Sequence, residues 1–199
     1  MAFEFPRIHN FPPFYTQQPN EQTWAAQRTQ WISLVLAYCA HHRVWVLNNR
    51  GLALSRGDVE MLDEEQATED ANGSDMEPLF ENKGIDRRLD VGVVSLIFNE
   101  MVSNGDAAFV NKKDTSQIFV YWHRPDDWAA KILEWVEATG QSGVVLTLYE
   151  LAHGDLSLKQ EFHGIHPQVL ETALQVLVKR GRAQLLKDED GKIAGVKIQ

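Results

Sequence analysis

Two pairs of stretches along the chain share their spacing of apolar residues. In the first pair, apolar side chains fall at positions i, i+1, i+4, i+5 and i+8, a spacing that places them on one face of an α-helix. The first pair is Val93, Val94, Ile97, Phe98 and Met101 with, 76 residues later, Val169, Leu170, Ala173, Leu174 and Leu177; the second is Trp31, Val35, Leu36, Tyr38 and Cys39 with, 97 residues later, Trp128, Ile132, Leu133, Trp135 and Val136. The pattern predicts four helices of a duplicated unit.

The two offsets differ by 21 residues, which places an insertion between the helices of the first unit. Residues 58–77 lie there and contain nine acidic residues and no basic one, whereas the net charge of the whole chain is −9. Low hydrophobicity with high charge opposes packing into a core. We therefore expect a solvated acidic loop at about 57–77, and a remainder of the chain that is close to neutral.

Turn and cap residues divide each unit into the same order of elements. Gly105 and Gly181 follow the third helix of each unit, as C-terminal caps do. The first unit is predicted to contain a helix from Asn20 and Glu21 to about His42, a strand Val44–Leu47, helices Leu79–Lys83 and Ile85–Asn104, and strands Ala107–Asn111 and Ile118–Trp122. As an alternative, the helix Ile85–Asn104 breaks near Arg88 into a short and a long helix. The second is predicted to contain a helix from Pro125 to before Gly140, a strand Val144–Leu146, a helix Leu148–Ala152, a helix from Pro167, and strands Ala183–Lys187 and Ile193–Ile198.

This order predicts an α+β fold of tandem winged-helix domains, each with a three-helix core and a β-hairpin wing. The expected divisions are an N-terminal arm at 1–19, a first winged helix at 20–123 and a second at 124–199. Winged helices commonly bind DNA through their third helix. Between Asp90 and Asn104, however, the chain has no lysine or arginine, and duplex binding needs several cations. We therefore expect no nucleic-acid partner, although a nucleic-acid-binding regulator stays as an alternative.

The composition, 44% hydrophobic and 24% charged, is that of a globular protein. We see no membrane-spanning stretch and no secretory signal, and the single cysteine, Cys39, fits a reducing compartment. The cytoplasm is the expected location.

Signals for an enzyme or a metal site are weak. Phosphate-binding, nucleophile-elbow and zinc-protease motifs are missing, so we expect no catalytic residue and no cofactor. His153, His163 and His166 lack the i, i+4 spacing of helical metal ligands. They are predicted to lie on the surface or to pack in loops, and we expect no metal.

The N-terminal segment FPPFYTQQPN at residues 11–20 is rich in proline and aromatic residues. Proline restricts the backbone, so we expect an extended arm near polyproline II with Phe11, Phe14 and Tyr15 available for insertion. The residues alone leave open whether the arm folds onto its own core or anchors in another protein. PPxY is also a ligand pattern of WW domains, so a client of a WW-domain ubiquitin ligase is a further alternative.

Six stretches resemble one known family, the small subunits of the ESCRT-II complex of the endosomal sorting machinery. The resemblance covers almost the whole chain and implies tandem winged helices in a non-catalytic adaptor. It is carried by FPPFYTQQPN at 11–20, QWISLVLAYC at 30–39, DWAAKILEWVE at 127–137, VLTLYELAHGD at 145–155, EFHG at 161–164 and LLKDEDGKIAGVKI at 185–198.

The resemblance implies that two copies of the chain join two larger ESCRT-II subunits in a heterotetramer. It also implies that the complex is recruited to the endosomal membrane and that this subunit is held there peripherally without inserting. The residues implied to contact the larger subunits are Phe11, Pro12, Pro13, Phe14 and Tyr15, with Phe5 and Pro6 in place of a second upstream PPxY motif. Replacing Pro12, Pro13 and Tyr15 with alanine is expected to leave the fold intact.

The second winged helix is implied to receive an ESCRT-III subunit and to act in multivesicular-body sorting of ubiquitinated cargo. Thr147 falls at the matching contact position, with Leu148 and Tyr149 beside it. A Thr147→Lys substitution is expected to damage only this contact.

Overall fold

The computed structural model describes residues 3–54 and 78–199. The acidic segment predicted as a loop lies outside these residues. The chain divides into two compact units, Met1–Trp122 and His123–Gln199, both built from helices and antiparallel sheet.

Two α-helices are described in unit 1: α1, Glu21–His42, and α2, Val91–Asn104. Both begin at side-chain caps, since Asn20 Oδ1 accepts from Thr23 N at 3.0 Å and Asp90 Oδ1 accepts from Gly92 N at 2.8 Å. Such caps satisfy N–H groups that have no partner within the helix. The predicted bounds of α1 are confirmed.

The described strands of unit 1 form a four-stranded antiparallel sheet and a separate two-stranded hairpin. The strands are β1 Val46–Asn48, β2 Ala53–Leu54, β3 Glu81–Asn82, β4 Arg87–Arg88, β5 Ala107–Phe109 and β6 Gln117–Val120. In the larger sheet, of order β2-β1-β6-β5, Val46 lies opposite both Leu54 and Phe119. Strand β1 is thus displaced from the predicted Val44–Leu47, whereas β5 and β6 fall within or beside their predicted ranges.

The predicted helix at Leu79–Lys83 is wrong, and the next predicted helix begins six residues later than Ile85. The segment instead forms the hairpin of β3 and β4, closed by a turn in which Asp86 has a left-handed φ of 51°. Leu79 and Phe80 are buried, and Leu89 N donates to Phe80 O at 2.9 Å. Apolar burial at these positions therefore comes from a hairpin inserted into the core rather than from helical periodicity.

Unit 2 has the predicted order of helix, strand, helix, helix and hairpin. The elements are α3 Pro125–Ala138, β7 Val145–Thr147, α4 Leu148–His153, α5 Pro167–Lys179, β8 Ala183–Lys187 and β9 Ile193–Ile198. The antiparallel sheet has the order β7-β9-β8. The predicted bounds of β8 and β9 are confirmed.

The repeated apolar positions form the cores of both units. Trp31 and Trp128 are both fully buried, and the five repeated positions of α2 and of α5 are each at most 9% exposed. Gly105 and Gly181 both have a left-handed φ, of 78° and 70°. The predicted apolar faces and the glycines that follow them are confirmed.

The N-terminal arm is not extended. It contains two 3₁₀ helices, Arg7–Asn10 and Pro12–Tyr15, and it packs on the core of unit 1. The φ that proline imposes fits a 3₁₀ helix as well as polyproline II, so burial of aromatic rings decides between them. We call residues 5–18 the strap.

Candidate interaction surfaces

The PPFY motif of the strap has a buried half, Phe14 and Tyr15, which are 3% and 4% exposed. The Phe14 ring stacks on the indole of Trp31 with centroids 4.1 Å apart, and the Tyr15 ring meets the same indole edge-on at 5.5 Å. Tyr15 Oη donates to His9 O at 3.1 Å. Both side chains belong to the core of unit 1, so replacing Tyr15 is expected to destabilise the fold, contrary to the expectation from sequence.

The exposed half of the motif is Pro12 and Pro13, and the exposed Phe11 lies directly before it; we call these three residues the exposed half of the strap. The Phe11 side chain is 55% exposed, and both prolines are exposed. Such a large apolar side chain in solvent beside two prolines is available to a partner. The structure thus divides the predicted contact residues between the core and the surface.

Phe5 and Pro6, the predicted replacements for an upstream motif, also differ in environment. Phe5 is partly buried and stacks on the His9 ring with centroids 4.1 Å apart, whereas Pro6 is exposed. Phe5 therefore helps to hold the strap, and Pro6 lies at the surface.

Side chains distant in sequence bind the backbone of the strap. Gln27 Nε2 and Trp31 Nε1, both on α1, donate to Phe14 O at 2.6 and 3.1 Å. Asn82 of β3 donates to His9 O at 2.8 Å. Neither Gln27 nor Asn82 was predicted from the sequence as a site residue. Gln27 could have been found as a polar residue within an apolar stripe of α1, between Trp24 and Trp31.

Burial also affects ionisation in the strap. Loss of hydration raises the pKa of Tyr15 above its ordinary value of 10.0, and a hydrogen bond with Asn82 lowers it by less. A phenol in this environment stays neutral at physiological pH.

The second predicted contact lies where β7 passes into α4, at Thr147, Leu148 and Tyr149, which we call the β7–α4 corner. Tyr149 is 71% exposed and Leu148 is partly buried. Val144 and Val145, just before it, are 49% and 51% exposed. The corner therefore presents an aromatic side chain to solvent beside exposed aliphatic ones.

Thr147 is exposed, but its side chain has a structural role. Thr147 Oγ1 accepts from Glu150 N at 3.1 Å, while Thr147 N donates to Glu150 Oε2 at 2.7 Å. These reciprocal bonds form a capping box that begins α4. The bonds from the Thr147 backbone and hydroxyl to the carboxylate lower the pKa of Glu150, an effect larger than that of its desolvation. A lysine at position 147 would thus remove a cap, so damage confined to a partner contact is no longer expected.

The three histidines considered as metal ligands take part in local structure. His163 Nδ1 lies 3.0 Å from Ser157 Oγ, and His166 Nδ1 accepts from Gln168 N at the start of α5 at 3.2 Å. The exposed His153 lies 5.4 Å from the Tyr149 ring. Within residues 3–54 and 78–199, no cluster of three or more histidine, cysteine or acidic side chains is arranged to hold a metal ion.

None of the helices in the described part of the chain is both long and apolar enough to cross a membrane.

The fold and the two surfaces define a two-unit α+β protein with an aromatic N-terminal strap. Residues 8–166 match the family described as "ESCRT-II complex subunit". The chain is 36% identical over 198 residues to vacuolar protein-sorting-associated protein 25 of Danio rerio, covering 100% of this chain and 99% of that protein. It is 31% identical over 200 residues to the protein of that name from Saccharomyces cerevisiae, covering 97% and 98%. The chain belongs to the ESCRT-II complex subunit family.

Solved structures agree with this assignment. The chain is similar to subunit VPS25 of the endosomal trafficking complex ESCRT-II, with a TM-score of 0.81, 28% identity and coverage of 98% of this chain and 100% of that one. It is also similar to a chain in the crystal structure of ESCRT-II (VPS22/VPS25/VPS36), with a TM-score of 0.76, 29% identity and coverage of 98% of both chains.

Proposed function

We propose that this chain is a non-catalytic adaptor subunit of an ESCRT-II complex in endosomal protein sorting. It acts in the cytoplasm and reaches the endosomal membrane through the complex. Likeness over the full chain to a subunit of an endosomal trafficking complex supports this role. Both units serve as winged-helix modules for protein contacts, and two copies of the chain join one copy of each larger subunit.

The observation that carries this proposal is the division of the PPFY motif. Its buried half fixes the strap to unit 1, while Phe11, Pro12 and Pro13 stay in solvent. Inserting an exposed aromatic side chain into an apolar pocket contributes about 2 kcal/mol or more at a binding hot spot. Phe11 is therefore the main anchor for the larger subunits, with both prolines and Pro6 around it. Phe14, Tyr15 and Phe5 act by holding the strap.

The β7–α4 corner of unit 2 receives an ESCRT-III subunit. This assignment comes from the resemblance of VLTLYEL at 145–151 to the family, and the exposure of Tyr149 supports it. Tyrosine combines a large apolar area with a polar tip, which suits a protein interface. Leu148 and Thr147 complete the surface, with Thr147 also holding the start of α4.

The proposal is tested by co-expressing this chain with the two larger subunits and measuring mass by light scattering after size exclusion. We expect a complex of two copies of this chain with one of each larger subunit. Combined Phe11→Ala, Pro12→Ala and Pro13→Ala substitutions should prevent or weaken its assembly. Because these residues are exposed, the variant should remain folded by circular dichroism.

Pro19→Ala is the matched control, since Pro19 is exposed and outside the motif. It should assemble normally. A triple variant that assembles as well as this control would show that the exposed half of the strap is not the anchor. A chain that stays free under all conditions would contradict the adaptor role itself.

A further inference from the structure

Gln27 is a buried amide on the side of α1 that carries the strap. Its side chain is 5% exposed, and its Nε2 lies 2.6 Å from Phe14 O, 3.1 Å from Thr16 O and 3.5 Å from Pro13 O. The amide group therefore contacts the strap backbone before and after the buried pair Phe14 and Tyr15.

Side-chain donors hold the backbone of the strap. The last carbonyl groups of a helix have no partner within it, and Phe14 O, near the end of the 3₁₀ helix Pro12–Tyr15, accepts from side chains of α1 instead. Two further side chains supply donors to the carbonyl groups: Trp31 Nε1 lies 3.1 Å from Phe14 O, and Gln18 Nε2 lies 3.0 Å from Pro13 O. Gln18 is on the strap itself, so α1 fixes the strap through Gln27 and Trp31.

The orientation of the Gln27 amide is set by the strap. Its Oε1 is buried with no hydrogen-bond partner among the described residues. A buried acceptor without a partner is unfavourable. Rotating the amide would place this oxygen against the carbonyl groups of Phe14 and Thr16 and lose the donors there. The side chain thus leaves its own acceptor unpaired while it holds the strap.

We propose that Gln27 is a positioning residue for binding of the larger subunits. By fixing the carbonyl groups of Phe14 and Thr16, it fixes the direction in which the exposed half of the strap meets its partner. A segment held in its bound conformation loses less entropy on binding. This inference rests on the proposed function, and it assigns Gln27 no contact with the partner because the side chain is buried.

The test uses the full chain and the co-purified larger subunits in a calorimetric titration. Gln27→Glu keeps the shape of the side chain but replaces the N–H donors with oxygen. Gln30→Glu is the matched control, because Gln30 is an exposed residue of the same helix and the charge change is identical. Each is measured alone, and Gln27→Glu is also combined with Phe11→Ala. Chymotrypsin cleavage after Tyr15 reports release of the strap.

We expect Gln27→Glu to weaken binding at least about tenfold, or about 1.4 kcal/mol, while Gln30→Glu binds as the unmodified chain does. Chymotrypsin should cleave after Tyr15 faster in Gln27→Glu than in the unmodified chain, whereas Gln30→Glu should be cleaved at the unmodified rate. In the Phe11→Ala background, Gln27→Glu should cause less than about twofold further loss, since both residues act through one contact.

Unchanged affinity of Gln27→Glu, or a full additional loss in the Phe11→Ala background, would overturn the role of Gln27. Unchanged affinity of Phe11→Ala alone would instead overturn Phe11 as the main anchor in the proposed function, and the role of Gln27 with it. If Gln27→Glu fails to fold, Gln27→Met replaces it in the same titrations. The methionine side chain is similar in length to glutamine and carries no charge. Unchanged affinity of Gln27→Met, or a full additional loss in the Phe11→Ala background, would again overturn the role of Gln27.

Discussion

The Phe14 ring lies parallel to the Trp31 indole, with centroids 4.1 Å apart and an angle of 7° between the planes. The same indole donates to Phe14 O from a position 17 residues away. Ring and backbone of one strap residue are thus bound by a single core side chain. This arrangement separates the two phenylalanines of FPPF, since Phe14 is buried and Phe11 is 55% exposed.

The two phenylalanines should respond oppositely to truncation. Phe14→Ala removes a stacked ring from the core and should lower the free energy of unfolding by about 3 kcal/mol. Phe11→Ala should change it by less than about 0.5 kcal/mol while weakening binding of the larger subunits. Urea denaturation followed by tryptophan fluorescence measures the first effect and calorimetry the second. Equal destabilisation by both variants would contradict the observed division of the motif.

An isolated WW domain should not bind the folded chain. The tyrosine of the PPxY pattern, Tyr15, is 4% exposed and hydrogen-bonded to His9 O, whereas a WW domain binds an accessible proline-rich segment. A synthetic peptide of residues 8–18 should bind, because its tyrosine is free. Fluorescence anisotropy competition compares the two, and equal competition by the folded chain would restore the WW-client hypothesis.

Substitutions at the β7–α4 corner should separate capping from partner contact. Thr147→Lys removes an N-cap and should destabilise the chain by about 1 kcal/mol, in addition to weakening binding of the ESCRT-III subunit. Tyr149→Ala should weaken this binding without changing stability, because the Tyr149 side chain is 71% exposed. Thermal unfolding and pull-down with that subunit give the two readouts. Thr147→Ser, which keeps the hydroxyl, is the control, and normal binding by Tyr149→Ala would reject the corner as the site.

The stability of the chain should include an acid-sensitive contribution from Glu150. Hydrogen bonds from Thr147 lower the pKa of this carboxyl from its ordinary value of 4.5, so the folded state binds its proton less readily than the unfolded state does. The contribution is complete above pH 4.5 and is lost as the pH falls through the lower pKa of the folded state.

The measurement compares melting temperatures of the unmodified chain and Glu150→Gln at pH 7 and at pH 3. The variant should melt at a lower temperature at pH 7, and the difference should shrink at pH 3. Glu134→Gln, an exposed position of α3, is the control and should show no such convergence. A difference independent of pH would show that the charge of Glu150 contributes nothing.

The regular elements were largely determined by the sequence, because their signals are local. Apolar residues at helical spacing placed α2 and α5, and Asn20 and Pro125 marked the starts of α1 and α3. Asp190-Gly191 is a dipeptide typical of hairpin turns, and it lies between β8 and β9, where Gly191 has a φ of 78°. The internal repeat reinforced these predictions, since each pattern occurred twice.

The conformation of the strap and of the segment around Leu79 was decided only by tertiary structure. Both are short apolar segments without periodicity, and their own residues permit more than one backbone conformation. Phe14 and Tyr15 are buried because Trp31 offers a ring to stack on and Gln27 supplies hydrogen-bond donors. Asn82 adds a further bond from a position 73 residues away from His9. Local sequence gave the strap its aromatic and proline residues, but contacts between distant residues determined which of them face solvent.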